Sequence, residues 1–282
     1  MKKLSPSFLL ILFLLLGLLS CSDENQETET TILQVEETEF LNVSYGTSNE
    51  QVYDIYLPAN RDLNTKVLIL VHGGGWTSGD KAEMTPYKNI ANEELAEYAI
   101  VNINYRLASQ GVSPFPMQLN DITAVINHLK TKQLDYKVSK DYGFIGVSAG
   151  AHLSMLWSYS YDTENDVNMV INIVGPTNFT DPEYADFITP AFTYFGETPT
   201  NAILELYSPY HQVNASSPPT SLFYGGMDPL IPTSQGVDMS VKLTEMNVAH
   251  EFTLYPNEGH GWGGTNLFDT WEKVKSFIII HH

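Results

Sequence analysis

Cysteine and positive charge are what this sequence has least of. Of 282 residues one is cysteine, Cys21, so no disulfide can form within a single chain and stability must come from a buried core. Fourteen Lys and Arg stand against 33 Asp and Glu, a formal net charge of −19, and the arginines are Arg61 and Arg106. No segment clusters basic residues, which argues against nucleic acid as a partner because phosphate contacts need grouped Lys and Arg. A polyanionic substrate would be repelled by the same field, so neutral or sparsely charged molecules fit better. No His/Cys/Asp/Glu constellation has metal-ligand spacing, and no cofactor motif occurs, so neither a metal nor a cofactor is expected. Internal repeats are absent, and low complexity is confined to a short acidic stretch near the start.

One long apolar run exists, at the very front. Met1-Lys2-Lys3 followed by Phe8 to Leu16 has the basic and apolar regions of a secretory leader, and the run is short for a membrane span. It ends in Leu18-Leu19-Ser20-Cys21, which resembles the lipobox of bacterial lipoproteins, and that resemblance implies cleavage before Cys21 and lipidation of it. Loss of residues 1–20 removes two lysines, leaving 12 basic against 33 acidic residues and a net charge of −21. Residues 22–31 are polar and acidic with nothing to build a core, so 21–36 reads as a flexible tether. Acidic residues directly after such a cysteine resemble surface-export signals. The expected location is therefore the cell envelope, lipid-anchored, at the outer membrane and facing outward.

The chemistry begins at Gly146-Val147-Ser148-Ala149-Gly150. The apolar Tyr142-Gly143-Phe144-Ile145 before it reads as a buried strand, and Ala151-His152-Leu153-Ser154-Met155-Leu156 after it as the start of a helix. G-x-S-x-G between strand and helix is a nucleophile elbow, a turn so tight that small residues must flank the serine on both sides. The pentapeptide alone recurs by chance in many chains. Its weight depends on the residues downstream of it.

A serine hydroxyl is a weak nucleophile and needs a base, and the base an orienting acid. Ser221 to Gly225 reads as a strand running into a glycine turn with Asp228 at its tip. Glu251 to Pro256 reads as another, leading into Asn257-Glu258-Gly259-His260-Gly261-Trp262. Both candidates lie past the C-terminal ends of strands, where open α/β sheets place their sites. An Asp before a proline is often only a turn former. A loop histidine between glycines has no packing reason to be there. His260 is preferred as base over His152, His211 and His250, and Asp228 as acid over Asp238 and Glu258.

Ahead of these, Val67-Leu68-Ile69-Leu70-Val71 is a strand apolar on both faces, followed by His72-Gly73-Gly74-Gly75-Trp76. The glycines leave backbone N–H groups uncovered. With the serine elbow, Asp228 and His260 following in order, the chain resembles the α/β-hydrolase superfamily, and within it the H-G-G-G-W carboxylesterases and acetylesterases. Ile103-Asn104-Tyr105-Arg106-Leu107, Phe115-Pro116 with Asp121, and Ser217-Pro218-Pro219-Thr220 extend the similarity over about residues 37–280. The resemblance implies an oxyanion hole from the N–H groups of Gly74, Gly75 and Ala149, with Gly73 or Trp76 as alternatives. Ala151 departs from it, since many relatives carry glycine there.

The remaining pattern alternates strand and helix, which argues for a mostly parallel sheet with helices on both faces. Residues 40–45 and 52–57 read as an opening antiparallel pair, and helices are expected around 85–97, 117–132, 149–160, 233–247 and 266–280. Residues 178–216, rich in aromatics and proline, read as an irregular insertion between nucleophile and acid, a short cap within a hydrolase domain spanning 37–282. Its rings could contact substrate or simply pack on the sheet; Trp76, Tyr194 and Trp262 are the candidate substrate contacts. Few aliphatic residues in the cap argue against a deep acyl tunnel. The expected function is serine-dependent hydrolysis of short acyl esters, acetyl esters of small molecules or carbohydrate foremost. An arylformamidase-like or peptidase-like amide hydrolase on the same triad, and a non-catalytic surface binding protein, remain open.

Overall fold

In the computed structural model, which describes residues 35–282, the apolar runs pair into a single eight-stranded sheet. The leader at 1–20, Cys21 and the tether as far as residue 34 lie outside the described residues. In chain order the elements are β1 (Thr38–Ser44), β2 (Val52–Leu57), β3 (Val67–Val71), α1 (Thr85–Glu94), β4 (Ala99–Ile103), α2 (Met117–Tyr136), β5 (Tyr142–Val147), α3 (Ala149–Ser160) and β6 (Val167–Ile173). There follow α4 (Ala185–Tyr194), α5 (Asn201–Leu206), α6 (Pro209–Gln212), β7 (Thr220–Gly225), α7 (Ser234–Glu245), β8 (His250–Tyr255) and α8 (Gly264–His281). The sheet order is β1-β2-β4-β3-β5-β6-β7-β8. From β4 to β8 the neighbours run parallel, while β1 and β2 are antiparallel to each other and β2 to β4. This is the α/β-hydrolase fold expected from the sequence.

Burial explains why the central strands lack polar alternation. Every residue of β3 and β4 is buried because helices cover both faces. One face packs on α2, α3 and the 178–216 segment through Leu119, Val125, Leu153 and Phe192. The other packs on α1 and α8 through Ala91, Trp271, Val274 and Phe277. Only the edge strands β1 and β8 keep substantial exposure.

Two expectations need correction. The helix over 117–132 continues to Tyr136, because nothing breaks it until Lys137 adopts a left-handed φ of 55° and ends it. The 178–216 segment is helical rather than irregular, containing α4, α5 and α6. Tyr184, Ile188, Phe192 and Phe195 recur at helical spacing on its buried face. Pro182 and Pro190 conceal that period in the sequence, although Pro190 is accommodated inside α4. Phe179 and Phe192 pack among Trp76, Phe115 and His152, so these cap rings are core rather than substrate contacts.

The segment after β4 is clamped to α2 by one buried carboxylate. Asp121 accepts from the Arg106 backbone N–H at 2.9 Å, from Arg106 Nε at 3.0 Å and from Gln51 Nε2 at 2.8 Å. Its side chain is 1% exposed, so removing it leaves buried donors without an acceptor. Asp121→Ala should therefore lower unfolding stability by about 3 kcal/mol, read from urea midpoints at constant slope. A loss no larger than that of an ordinary surface substitution would show that the clamp contributes little.

Candidate active site

Strand order brings the site together before any side chain is considered. β3, β5, β7 and β8 are parallel, so the loops leaving their carboxyl ends share one edge of the sheet. β3 and β5 are neighbours with Val71 opposite Gly146, which sets the glycine loop beside the elbow. β7 and β8 are neighbours with Gly225 opposite Tyr255, which sets the acid beside the base. The two later loops are also tied to each other: Gly226 N–H donates to Tyr255 O and Met227 N–H to Glu258 O, each at 2.8 Å.

Ser148 sits at φ 52° and ψ −122°, a conformation a non-glycine residue holds only when its surroundings impose it. The Ser148 N–H donates to Ile173 O at 2.8 Å and α3 starts at the next residue, so strand and helix impose the turn from both sides. A Cβ on Gly150 would collide with the carbonyls of Val71 and His72, and one on Gly146 with the backbone of Ala151. The elbow glycines are thus required by close approach. Ala151 fits because Gly175 faces it; a Cβ there would come within 2.5 Å of the Ala151 methyl.

The triad is assembled. Ser148 Oγ lies 2.9 Å from His260 Nε2, and His260 Nδ1 lies 2.7 Å from Asp228 Oδ2. With Nδ1–H donating to the carboxylate, Nε2 is left to accept the serine proton. The Asp228 side chain is 1% exposed and its other oxygen accepts from the N–H groups of Leu230 at 2.8 Å and Ile231 at 3.0 Å. The turn-forming bonds and the bond to His260, alternatives in the sequence, are both present, one on each oxygen. The rivals lie elsewhere: Glu258 is bonded to Asn266, His211 to Thr180 and His250 to Ser240, and Asp238 is exposed on α7. His152 is enclosed, accepting from Trp76 Nε1–H at 3.3 Å and donating from Nε2 to Tyr207 O at 2.8 Å.

Among the described residues, the N–H groups of Gly74, Gly75 and Ala149 donate no hydrogen bond within the protein, and neither do those of Gly73 and Trp76. Orientation must therefore choose between them. The Gly73 carbonyl accepts from His72 Nδ1–H at 2.7 Å and from the Tyr105 hydroxyl at 3.2 Å; that hydroxyl also donates to His72 O at 2.8 Å. A trans peptide is planar, so fixing this carbonyl inward aims the Gly74 N–H the opposite way. Burial raises the Tyr105 phenol pKa and lowers that of His72, so the first remains a donor and the second stays neutral. Gly74 itself has φ 108°, a value suited to glycine. Gly74 is the loop donor that this scaffold orients. Sequence reasoning missed Tyr105 and His72 as positioning residues, although the Asn104-Tyr105-Arg106-Leu107 pattern carries a signal for the first.

The elbow floors a cavity of about 410 Å³ lined by Ser148, His260 and the glycine loop. Met84, Tyr87, Tyr184, Phe187, Leu230 and Ile231 supply its apolar walls, and no sequence pattern marks any of these as a site residue. The three expected substrate contacts divide. Trp76 lines the cavity but is 2% exposed, its indole committed to His152. Tyr194 lies outside, in an adjoining groove. Trp262 faces a separate apolar pocket between α1 and α8, bonded to Thr270 at 2.8 Å. No cluster of three or more potential metal ligands occurs among the described residues.

Fold and site together define an α/β-hydrolase with a serine nucleophile elbow. Residues 53–243 match the BD-FAE family, and the chain belongs to that family. It is similar to Esterase LipC of Mycobacterium tuberculosis (strain ATCC 25618 / H37Rv), 26% identical over 244 residues covering 78% of this chain and 59% of that one. The chain thus spans little more than half the length of this curated relative. Among solved structures, a truncated carbohydrate esterase from gut microbiota superposes with a TM-score of 0.67 at 19% identity, covering 85% of this chain and 96% of that one. An acetyl ester-xyloside bifunctional hydrolase from Caldicellulosiruptor lactoaceticus gives 0.64 at 20% identity, covering 80% and 89%. At such identities these likenesses concern the fold.

The site generates two predictions. Tyr105→Phe frees the Gly73 carbonyl to rotate, so kcat should fall about tenfold with KM nearly unchanged, less than the roughly 3 kcal/mol of a deleted donor. Steady-state kinetics with an unaltered kcat would remove Tyr105 from the positioning role. Burial pushes the His152 pKa down to about 4 from 6.5. As pH falls the unfolded chain takes up that proton first, so the stability held by neutral His152 is complete above ~pH 6.5 and is lost as pH approaches 4. The full effect is roughly 3 kcal/mol. Urea unfolding at pH 7.5 and 4.5 should show a smaller acid loss in His152→Phe than in the parent; equal losses would refute it.

Proposed function

We propose that this protein is a serine esterase that hydrolyses short-chain acyl esters, with acetyl groups on carbohydrate as the substrate class, held at the cell envelope by a lipid on Cys21. The observation that carries the esterase reading is the unbroken hydrogen-bond chain Ser148–His260–Asp228 at 2.9 and 2.7 Å beside unpaired loop amides. His260 Nε2 takes the proton of Ser148 as Oγ attacks the ester carbonyl, and Asp228 holds the imidazole and the charge it acquires. The tetrahedral oxyanion forms against the N–H groups of Gly74, Gly75 and Ala149. His260 then gives the proton to the leaving alkoxide, and the acyl group remains on Ser148. Water repeats the sequence: His260 takes its proton, hydroxide adds to the acyl carbon, and collapse releases the acid with the proton returned to Oγ.

Acyl size and charge are set by the walls. Acyl and alcohol groups share a cavity of about 410 Å³. Glu83 is the carboxylate in its lining, and no Lys or Arg is present there, which suits neutral esters. The carbohydrate part of the reading draws on the exported character of the chain and on the activities for which the fold relatives are named. Envelope anchoring rests on the leader and Cys21.

Release of p-nitrophenol from acetyl, butyryl and octanoyl esters, with Ser148→Ala beside the parent, tests the reaction. Turnover should fall with chain length, and Ser148→Ala and His260→Ala should lower kcat by about four orders of magnitude or more while remaining folded. His152→Gln should stay within about tenfold of the parent, since His152 supports the loop only through Trp76 and is not bonded to Ser148 or His260. Activity that survives in folded Ser148→Ala would overturn the mechanism, and an octanoyl preference would overturn the short-acyl assignment.

A further inference from the structure

The catalytic cavity continues beyond its mouth along the cap. A groove of about 480 Å³ shares Gly75, Trp76 and Phe187 with the cavity and extends past Thr77 and Asp186 to Pro190 and Tyr194. While Phe179, Tyr184, Phe192 and Phe195 of the cap are buried, Phe187 and Tyr194 are 40% and 48% exposed. Both stand on α4, seven residues or about two turns apart, and so on one face of the helix. Phe187 stacks one side against Tyr184, with ring centroids 5.3 Å apart, and Tyr184 is itself a wall of the catalytic cavity. Tyr194 is braced edge-on by Phe195, and its carbonyl accepts from Gly111 N–H at 2.9 Å. Each ring thus has an aromatic neighbour on one side and is open on the other.

We infer that this groove is a glycan subsite, in which Phe187 and Tyr194 form a platform for sugar rings flanking the ester bound at Ser148. The inference rests on the proposed carbohydrate-ester activity and adds where the rest of the chain lies. Three observations select a neutral glycan. Exposed aromatic rings match the apolar C–H face of a pyranose, at low conformational cost because Phe and Tyr have only two side-chain torsions to order. Asp186 and the Thr77 hydroxyl stand in the same lining, a hydrogen-bonding fringe for sugar hydroxyls. The lining holds no Lys or Arg, and with Asp186 present an anionic glycan would be repelled. The groove also meets the cavity at Gly75 and Trp76, beside the oxyanion loop, so an ester seated at Ser148 and a chain lying on α4 would be continuous. The apolar pocket at Trp262 offers no such join: it shares with the cavity only Tyr87, and its one hydroxyl besides, that of Thr270, is already bonded within the protein.

The test compares acetylated xylo-oligosaccharide with p-nitrophenyl acetate as substrates of the full chain, its Tyr194→Ala variant and its Tyr194→Phe variant, with thermal midpoints matched. The ratio of kcat/KM for oligosaccharide to that for the aryl ester should fall about tenfold in Tyr194→Ala, through KM, and be retained in Tyr194→Phe, which keeps the ring. Unacetylated xylo-oligosaccharide should inhibit hydrolysis of the aryl ester by the parent, and about tenfold less well in Tyr194→Ala. Deacetylation of the oligosaccharide by the parent with an unchanged ratio and unchanged inhibition in Tyr194→Ala would overturn the subsite and leave the carbohydrate-ester reading standing. Hydrolysis of the aryl ester without any release of acetate from the oligosaccharide would overturn both.

Discussion

The backbone of the turn after β5 presses against the end of β3, and the rest of the site depends on that contact. Gly150 approaches the carbonyls of Val71 and His72 so closely that no side chain could stand between them. Because β3 and β5 are adjacent and parallel, this approach sets the nucleophile and the glycine loop at one height above the sheet. The strained φ of Ser148 is one consequence. The other is a cavity whose floor holds the serine hydroxyl and the unpaired backbone donors side by side.

Much of the surrounding polar structure serves to hold that arrangement still. Gln118 Nε2 donates to Trp76 O at 2.7 Å and to Arg106 O at 2.8 Å, joining the glycine loop, the segment after β4 and α2. Asp121 fastens Arg106 from the same helix. His72 and Tyr105, stacked at 4.3 Å, grip the Gly73 carbonyl. His152 completes the circuit by accepting the hydrogen bond of the Trp76 indole N–H beneath the loop. These groups do not touch a reacting atom. They hold the loop that carries these N–H groups, the advance ordering that the proposed oxyanion hole requires.

The cap works differently. Its buried rings, Phe179, Phe192 and Phe195, pack on the sheet side and weld α4 to the domain. Its exposed rings face the route out of the cavity. A short helix can do both because its side chains divide between two faces at a period of 3.6 residues. That period is present in the sequence at Tyr184, Ile188, Phe192 and Phe195, but two prolines and the aromatic bias disguise it as loop.

How much of the molecule is legible in its sequence depends on how local each signal is. The proposed nucleophile, acid and base are legible as candidates because each sits in a short pattern dictated by its own backbone: a strand, a glycine-rich turn, then the side chain. The central strands are legible because burial on both faces forces unbroken apolar runs. Tyr105 as the residue that orients Gly74, the commitment of Trp76 to His152, the separation of Trp262 from the cavity and the exposed platform on α4 are not legible. Each depends on which chain segments meet across the sheet, 32 residues apart for Tyr105 and Gly73 and 76 for Trp76 and His152. The sequence by itself determined which residues are candidates for the proposed chemistry, since only a few residue types in tight local turns could perform it. Only the tertiary structure decided which side chains hold that chemistry in place and which are free to meet a substrate, because packing assigns each ring to one task or the other.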